Sequence, residues 1–181
     1  AVPPSVLITT VSLIVCVACL VSAVLVLAFF SRELLGGPPT DALLMKNLTF
    51  FFGHVLVNLS LYLGVALVYE TLPEYASRSW PANRVVAISW NAVLVIVLLA
   101  YFHHLYMDFA QPAVLQYVGQ IASYVSALPA AVVTIFGALA LVYRAPLRWS
   151  LAPALLFLGL AGWAVGGIGA VIDSTVAVNA K

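Results

Sequence analysis

Charge is what this sequence has least of: Lys and Arg number 7 and Asp and Glu 6 among 181 residues, so charged side chains make up 7% of the chain. An ordinary soluble domain carries about 25%. That shortage excludes a water-facing globular surface. A net charge of +1 leaves no basic face, so no nucleic-acid partner is expected. Cysteine is nearly absent too. The 2 cysteines exclude a multi-bridge framework and a four-thiolate zinc site. They stand as Cys16-Val-Ala-Cys19 inside an apolar stretch, where small apolar packing is the expected role. There is no internal repeat and no low-complexity linker, so residues 1–181 read as a single transmembrane domain. No short apolar leader with a charged flank and a cleavage site precedes the first long run. A chain that starts without Met and ends abruptly reads as an internal fragment of a longer polypeptide.

Apolar residues are what the chain has in abundance, at 65%. Long apolar runs occupy 5–30, 48–69, 85–109, 114–143 and 150–172, each at or above the roughly 20 residues that a helix needs to cross hydrocarbon. The fold class is therefore all-α, a polytopic bundle of about five membrane-spanning helices with the lipid bilayer as its solvent. Turn chemistry is expected at Gly36, Gly37, Pro38 and Pro39, at Pro73 and Pro81, at Pro112 and at Pro146. Pro129 falls inside the fourth run, where it should kink the helix rather than end it. Arg78, Arg84, Arg144 and Arg148 fall in loops on one side, and Arg32 and Lys46 on the other, which places the first side in the cytoplasm. Trp80, Trp149 and the tyrosines near the span ends match an aromatic belt. Glu70 and Asp108 stand at expected helix ends, where water solvates them.

The chain has 3 histidines, His54, His103 and His104, and all lie inside expected spans, where an ionisable side chain points to function. His54 is six residues after the start of its run and His104 five before the end of its own, roughly 8–9 Å below one membrane face at the α-helical rise. By the loop charges that face is the outer one. Consecutive helical residues are about 100° apart, so His103 and His104 share an ion only if it lies between their two directions. His54 would complete the site from the neighbouring helix. Three imidazoles without thiolate or carboxylate suit copper, zinc or iron rather than calcium or magnesium. Three unrelated polar contacts are the plain alternative. Asn58 lies one turn beyond His54 on the same face, with Tyr62 and Tyr69 further along that helix. Asn91, Gln116, Gln120, Ser123, Ser126 and Thr134 could line a water or proton path, though hydrogen bonding between helices is their commoner use.

These residues resemble a family. Gly53-His54, then Tyr69 fifteen residues after the histidine, Thr71-Leu72-Pro73, and His103-His104 at the outer end of the next span resemble the catalytic subunit I of haem-copper oxidases, closest to the B-type branch. The likeness continues through Leu128-Pro129 to Gly166-Gly167-Ile168-Gly169. It implies that the five spans are the fifth to ninth of about twelve core helices. It also implies that His54, His103 and His104 are the ligands of a copper facing a high-spin haem iron, with a small gas bound between the metals. The haem-ligating histidines of the family lie on its second and tenth helices, outside this stretch, so the segment alone is expected to be inactive.

The departures bear on the substrate. Dioxygen-reducing B-type members have, four residues after the first histidine, a tyrosine joined covalently to a ligand histidine; here that residue is Asn58. The C-type position for such a tyrosine, six residues before the histidine pair, is Val97. Splitting dioxygen takes four electrons at once, and coupling two NO molecules to nitrous oxide takes two, which iron and copper can supply. Asparagine donates neither an electron nor, readily, a proton. The family's proton line keeps Tyr69, but its hydroxyl positions four and seven residues after Pro129 are Val133 and Phe136. Thr134 is one residue, or about 100°, out of place.

The sequence therefore implies an oxidoreductase segment with copper and haem as cofactors, supplied with electrons by a cytochrome c or quinol. Its expected partners are the rest of subunit I and other oxidase subunits. NO is the favoured substrate and dioxygen the alternative. No glutamate stands near the histidines to serve the iron-based NO reductases, which leaves copper. The expected location is a bacterial or archaeal plasma membrane. A membrane transporter or channel with pore histidines, and an assembly subunit without chemistry, are the rival classes.

Overall fold

In hydrocarbon a chain must satisfy its own amides, which leaves helices as the form for long apolar runs. The computed structural model describes residues 2–80, 84–106, 108 and 110–179. Its elements are α1 (Pro4–Leu34), α2 (Ala42–Ala76), α3 (Arg84–Ala100), a 3₁₀ turn (Tyr101–Leu105), α4 (Ala113–Val142), α5 (Leu151–Asp173) and the short α6 (Val176–Asn179). Five helices, with α3 and the 3₁₀ turn counted as one, are long and apolar enough to cross a membrane. No strand is found among the described residues.

The buried faces follow helical spacing. Ile8, Ser12, Val15, Cys19 and Ser22 make one stripe along α1, at steps of four and three. Val55, Tyr62, Tyr69 and Ala76 recur every seven residues on α2, and this pair of stripes packs together. Val86, Trp90, Val93 and Val97 carry α3 onto the same core, and Trp90 is wholly buried with Tyr62 edge-on to its ring at 5.4 Å. α5 is the outermost helix, with Pro153 and Leu160 its only buried residues among those described.

Helix ends show why the turns fall where they do. After α1, the amide of Gly37 bonds the carbonyl of Arg32 and that of Gly36 bonds Glu33, with Gly36 at φ 85°, the left-handed closure that glycine makes without strain. α2 closes with the same pair of bonds, Arg78 to Pro73 and Ser77 to Glu74, but Ser77 occupies the left-handed position at φ 51°. At α2's start Asp41 caps the amide of Leu44 at 2.7 Å.

Several boundaries differ from expectation. α2 extends six or seven residues beyond the apolar run at each end, because capped polar turns continue a helix that the core already holds. Pro73 therefore lies inside α2 rather than in a loop, at the loss of the one amide bond its missing N–H would have made. Pro81 lies outside the described residues. The third run stops being α-helical at Ala100 and tightens into the 3₁₀ turn. α4 runs without a break through Pro129. Trp80 is buried rather than belted: its ring lies 4.0 Å from that of Tyr69, over Gly137. Trp149 is 67% exposed, as a belt residue would be. Glu70 is also not at a helix end; within α2, it accepts a 2.5 Å hydrogen bond from Ser5 Oγ on α1.

The loop arginines do share one end. The Arg78 guanidinium donates to the carbonyls of Tyr143 at 2.8 Å and Arg144 at 3.2 Å, and the Arg148 amide bonds the carbonyl of Tyr75. At the other end Lys46 Nζ meets Asp108 at 3.0 Å. Hydrogen bonding to Lys46 holds the Asp108 carboxyl below its ordinary range. A lowered carboxyl pKa contributes stability that is present above the ordinary value and lost as pH falls through the folded one. Acidification below about pH 4 should loosen this end in the parent protein and have less effect in Lys46→Met, as read by hydrogen exchange around residues 106–112. A Cβ on Gly137 would come within 2.5 Å of the Trp80 ring. Gly137→Ala should therefore cost about 1–3 kcal/mol through overpacking, measured by unfolding of the purified protein in detergent.

Candidate metal centre

All three histidines meet in one cluster, with a ligand-type atom from each within 4.8 Å of the others. His54 comes from α2, twelve residues after Ala42, and His103 and His104 from the 3₁₀ turn, next to its end. Equal depth counted from helix ends is therefore not how they meet. α2 overhangs α3, and the third run ends where its histidines reach α2. A 3₁₀ turn advances about 120° per residue, so the two rings diverge: His104 meets Phe50 and His54 of α2, and His103 lies between His54 of α2 and Ser123 of α4. Their ring centroids remain 4.1 Å apart, and His54 lies 5.0 Å from His103 and 5.2 Å from His104.

The hydrogen bonds distinguish inner from outer ring nitrogens. Nδ1 of His54 and Nε2 of His104 are 3.1 Å apart. Asn58 Nδ2 lies 3.2 Å from Nε2 of His54 and donates at 2.8 Å to the His54 carbonyl. An amide nitrogen only donates, so Nε2 of His54 accepts and the ring proton sits on Nδ1, donated to His104. Nδ1 of His103 is 2.7 Å from Ser123 Oγ on α4. Phe50, one turn before His54, stacks on His104 at 5.5 Å. His54 and His103 are half-buried and His104 is exposed.

Sequence spacing had not signalled the contact from Ser123 to His103, the stacking of Phe50, or the role of Gly119. A Cβ on Gly119 would sit 2.8 Å from the His103 amide nitrogen and 2.9 Å from Phe102, so only glycine lets α4 rest on the backbone of the turn. The available sign was Gly119-x-x-x-Ser123, two small residues one turn apart, the pattern of close helix approach in membranes.

The donor chemistry fits a late first-row metal: three imidazoles and, within the cluster, no carboxylate or thiolate. Copper, zinc and iron suit it, and calcium and magnesium do not. A haem iron held by histidine would need that histidine from elsewhere, since every histidine of the chain is in this cluster.

The family model for cytochrome c and quinol oxidase polypeptide I matches residues 3–181. The chain belongs to that family. No curated protein matches it. Membership makes the chain part of the haem-copper oxidase subunit I family, whose members bind haem and copper. It is accordingly an integral membrane protein related to respiratory oxidoreductases, as its five spans require.

Other polar residues of this subunit I chain take bland roles. Asn91 bonds its own helix at Ala87 and Ser126 bonds Ser123. Gln116 donates to the Tyr106 carbonyl and Gln120 accepts from the Val176 amide, tying α4 to the segments around the cluster. Cys16 and Cys19 are free thiols, Cys19 buried in the core. Thr134, expected out of register, instead lies 3.1 Å from the Tyr69 hydroxyl and is fully buried. A double-mutant cycle with Tyr69→Phe and Thr134→Val should give a coupling of about 0.6–1.7 kcal/mol in unfolding, the range for hydrogen bonds between membrane helices.

Proposed function

We propose that His54, His103 and His104 hold the copper of a gas-reducing haem-copper centre, and that the gas is NO. Residues 1–181 act in this reading as one transmembrane unit, with the cluster toward the outer face and electrons arriving from a cytochrome c or quinol through partner subunits. A haem beside the cluster would be held by residues other than these three histidines. Bound copper would offer an open coordination position for a small gas and a single electron, the haem iron offering the other.

The observation that carries the choice of substrate is the carboxamide of Asn58 on Nε2 of His54. Reduction of dioxygen to two waters consumes four electrons and four protons, and two metals fall short of that in one encounter. Coupling two NO molecules to nitrous oxide and one water consumes two of each. A side chain that gives up a hydrogen atom is needed only in the first case, and at this position the chain has an amide that gives up none. With the metal on Nδ1 of His54, Nε2 would carry the ring proton, and Asn58 would hold the ring as a second-layer partner by turning its carboxamide oxygen to that N–H.

Dioxygen reduction is the second reading, favoured by the Tyr69–Thr134 pair. Two hydroxyls in contact between α2 and α4 are a route for protons from the arginine-bearing end, and the four-proton reaction makes the heavier demand on such a route.

Metal analysis and optical spectra of the purified full-length protein should give one copper and a high-spin haem, and a protein without copper would end the proposal. Turnover with each gas divides the two substrates. The parent should reduce NO at least about tenfold faster than dioxygen, and Asn58→Tyr should narrow that ratio; a parent that consumes dioxygen as fast as NO is an oxidase.

A further inference from the structure

The geometry points to Ser123 as a positioning residue that fixes the tautomer of His103 and leaves its Nε2 free for the metal. The inference rests on the copper reading above. Ser123 Oγ lies 2.7 Å from Nδ1 of His103 and also 2.7 Å from the carbonyl oxygen of Gly119. A hydroxyl has one proton. If that proton went to the imidazole, Oγ and the Gly119 oxygen would face each other at 2.7 Å with no hydrogen between them. Both contacts are satisfied only when the hydroxyl donates to Gly119 and accepts from Nδ1–H. His103 then carries its proton on Nδ1, and Nε2 keeps its lone pair.

Back-bonding to the carbonyl four residues earlier is common for serine in membrane helices. Ser12 and Ser60 bond Ile8 and Leu56 in this way. At Ser123 the same bond has a second effect, because it turns the oxygen into an obligate acceptor aimed at an imidazole. The contact also depends on Gly119 one turn earlier: its missing Cβ lets α4 approach the His103 backbone, which brings Ser123, 7% exposed, to the ring. The carbonyl that takes the serine's proton and the gap that admits the turn therefore belong to one residue. At His54 the contact has the opposite sense: an amide nitrogen faces its outer ring nitrogen and leaves the ring proton on Nδ1, toward His104.

The test uses full-length subunit I in its complex, as parent, Ser123→Ala and Ser123→Thr. Copper affinity is read by titration with a chelator. The infrared stretch of carbon monoxide held at the copper after photolysis from the haem reports the ligand field without turnover. Ser123→Ala should lose about 10–100-fold in copper affinity, the usual effect of removing a partner of a ligand histidine, and should shift or broaden the stretch. Ser123→Thr, which keeps the hydroxyl, should match the parent in both. The haem spectrum monitors folding; if Ser123→Ala loses it, Ser123→Cys, close in size and a weak acceptor, takes its place with the same expected loss. Parent-like affinity and stretch in the variant without the hydroxyl would overturn the inference, as would a threonine variant as impaired as alanine. A parent with no copper would instead overturn the reading beneath it.

Discussion

The contact between Nδ1 of His54 and Nε2 of His104, at 3.1 Å, is the constraint around which this end of the bundle is arranged. Imidazoles placed in hydrocarbon need partners, and here α2 and the 3₁₀ turn supply them to each other. To make the contact the third span gives up its α-helical pitch over its last five residues. The turn then needs support from behind, and α4 gives it through the bare backbone of Gly119. Asn58 and Ser123 are each one turn from a residue that already faces the cluster, and they occupy the outward nitrogens of His54 and His103. Histidine cluster, turn and helix packing form one arrangement rather than three.

The opposite end is organised by a different interaction. Arg78 gathers carbonyls at the C-terminus of α4, where a cation meets the negative end of the helix dipole. Between the two ends, Tyr69 and Thr134 share a buried hydrogen bond with the Trp80 ring against the tyrosine. The polar groups of the α2 face, His54, Asn58, Tyr62 and Tyr69, thus run from one end of the bundle toward the other along a single helix.

Composition alone made the five spans and their order legible, since few other structures tolerate 7% charge. The histidine cluster was legible because only three histidines exist and each lay in an apolar run. What a single sequence does not display is contact between helices. Thr134 looked displaced because spacing within α4 says nothing of how α4 is rotated against α2. Trp80 looked like a belt residue because the space above Gly137 exists only once α4 is packed. Pro73 read as a turn because its tolerance depends on how far the helix continues, which Ser77 and Arg78 decide. Ser123 was visible as a polar residue in a span, but its use required the position of a turn on another element.

The cluster's donors are all uncharged. A cation among them would carry its whole charge into a region of low dielectric, where the cost of an ion rises steeply with charge. A monovalent ion is held there at less expense than a divalent one. For a metal that cycles between the two, this donor set would displace the midpoint potential upward.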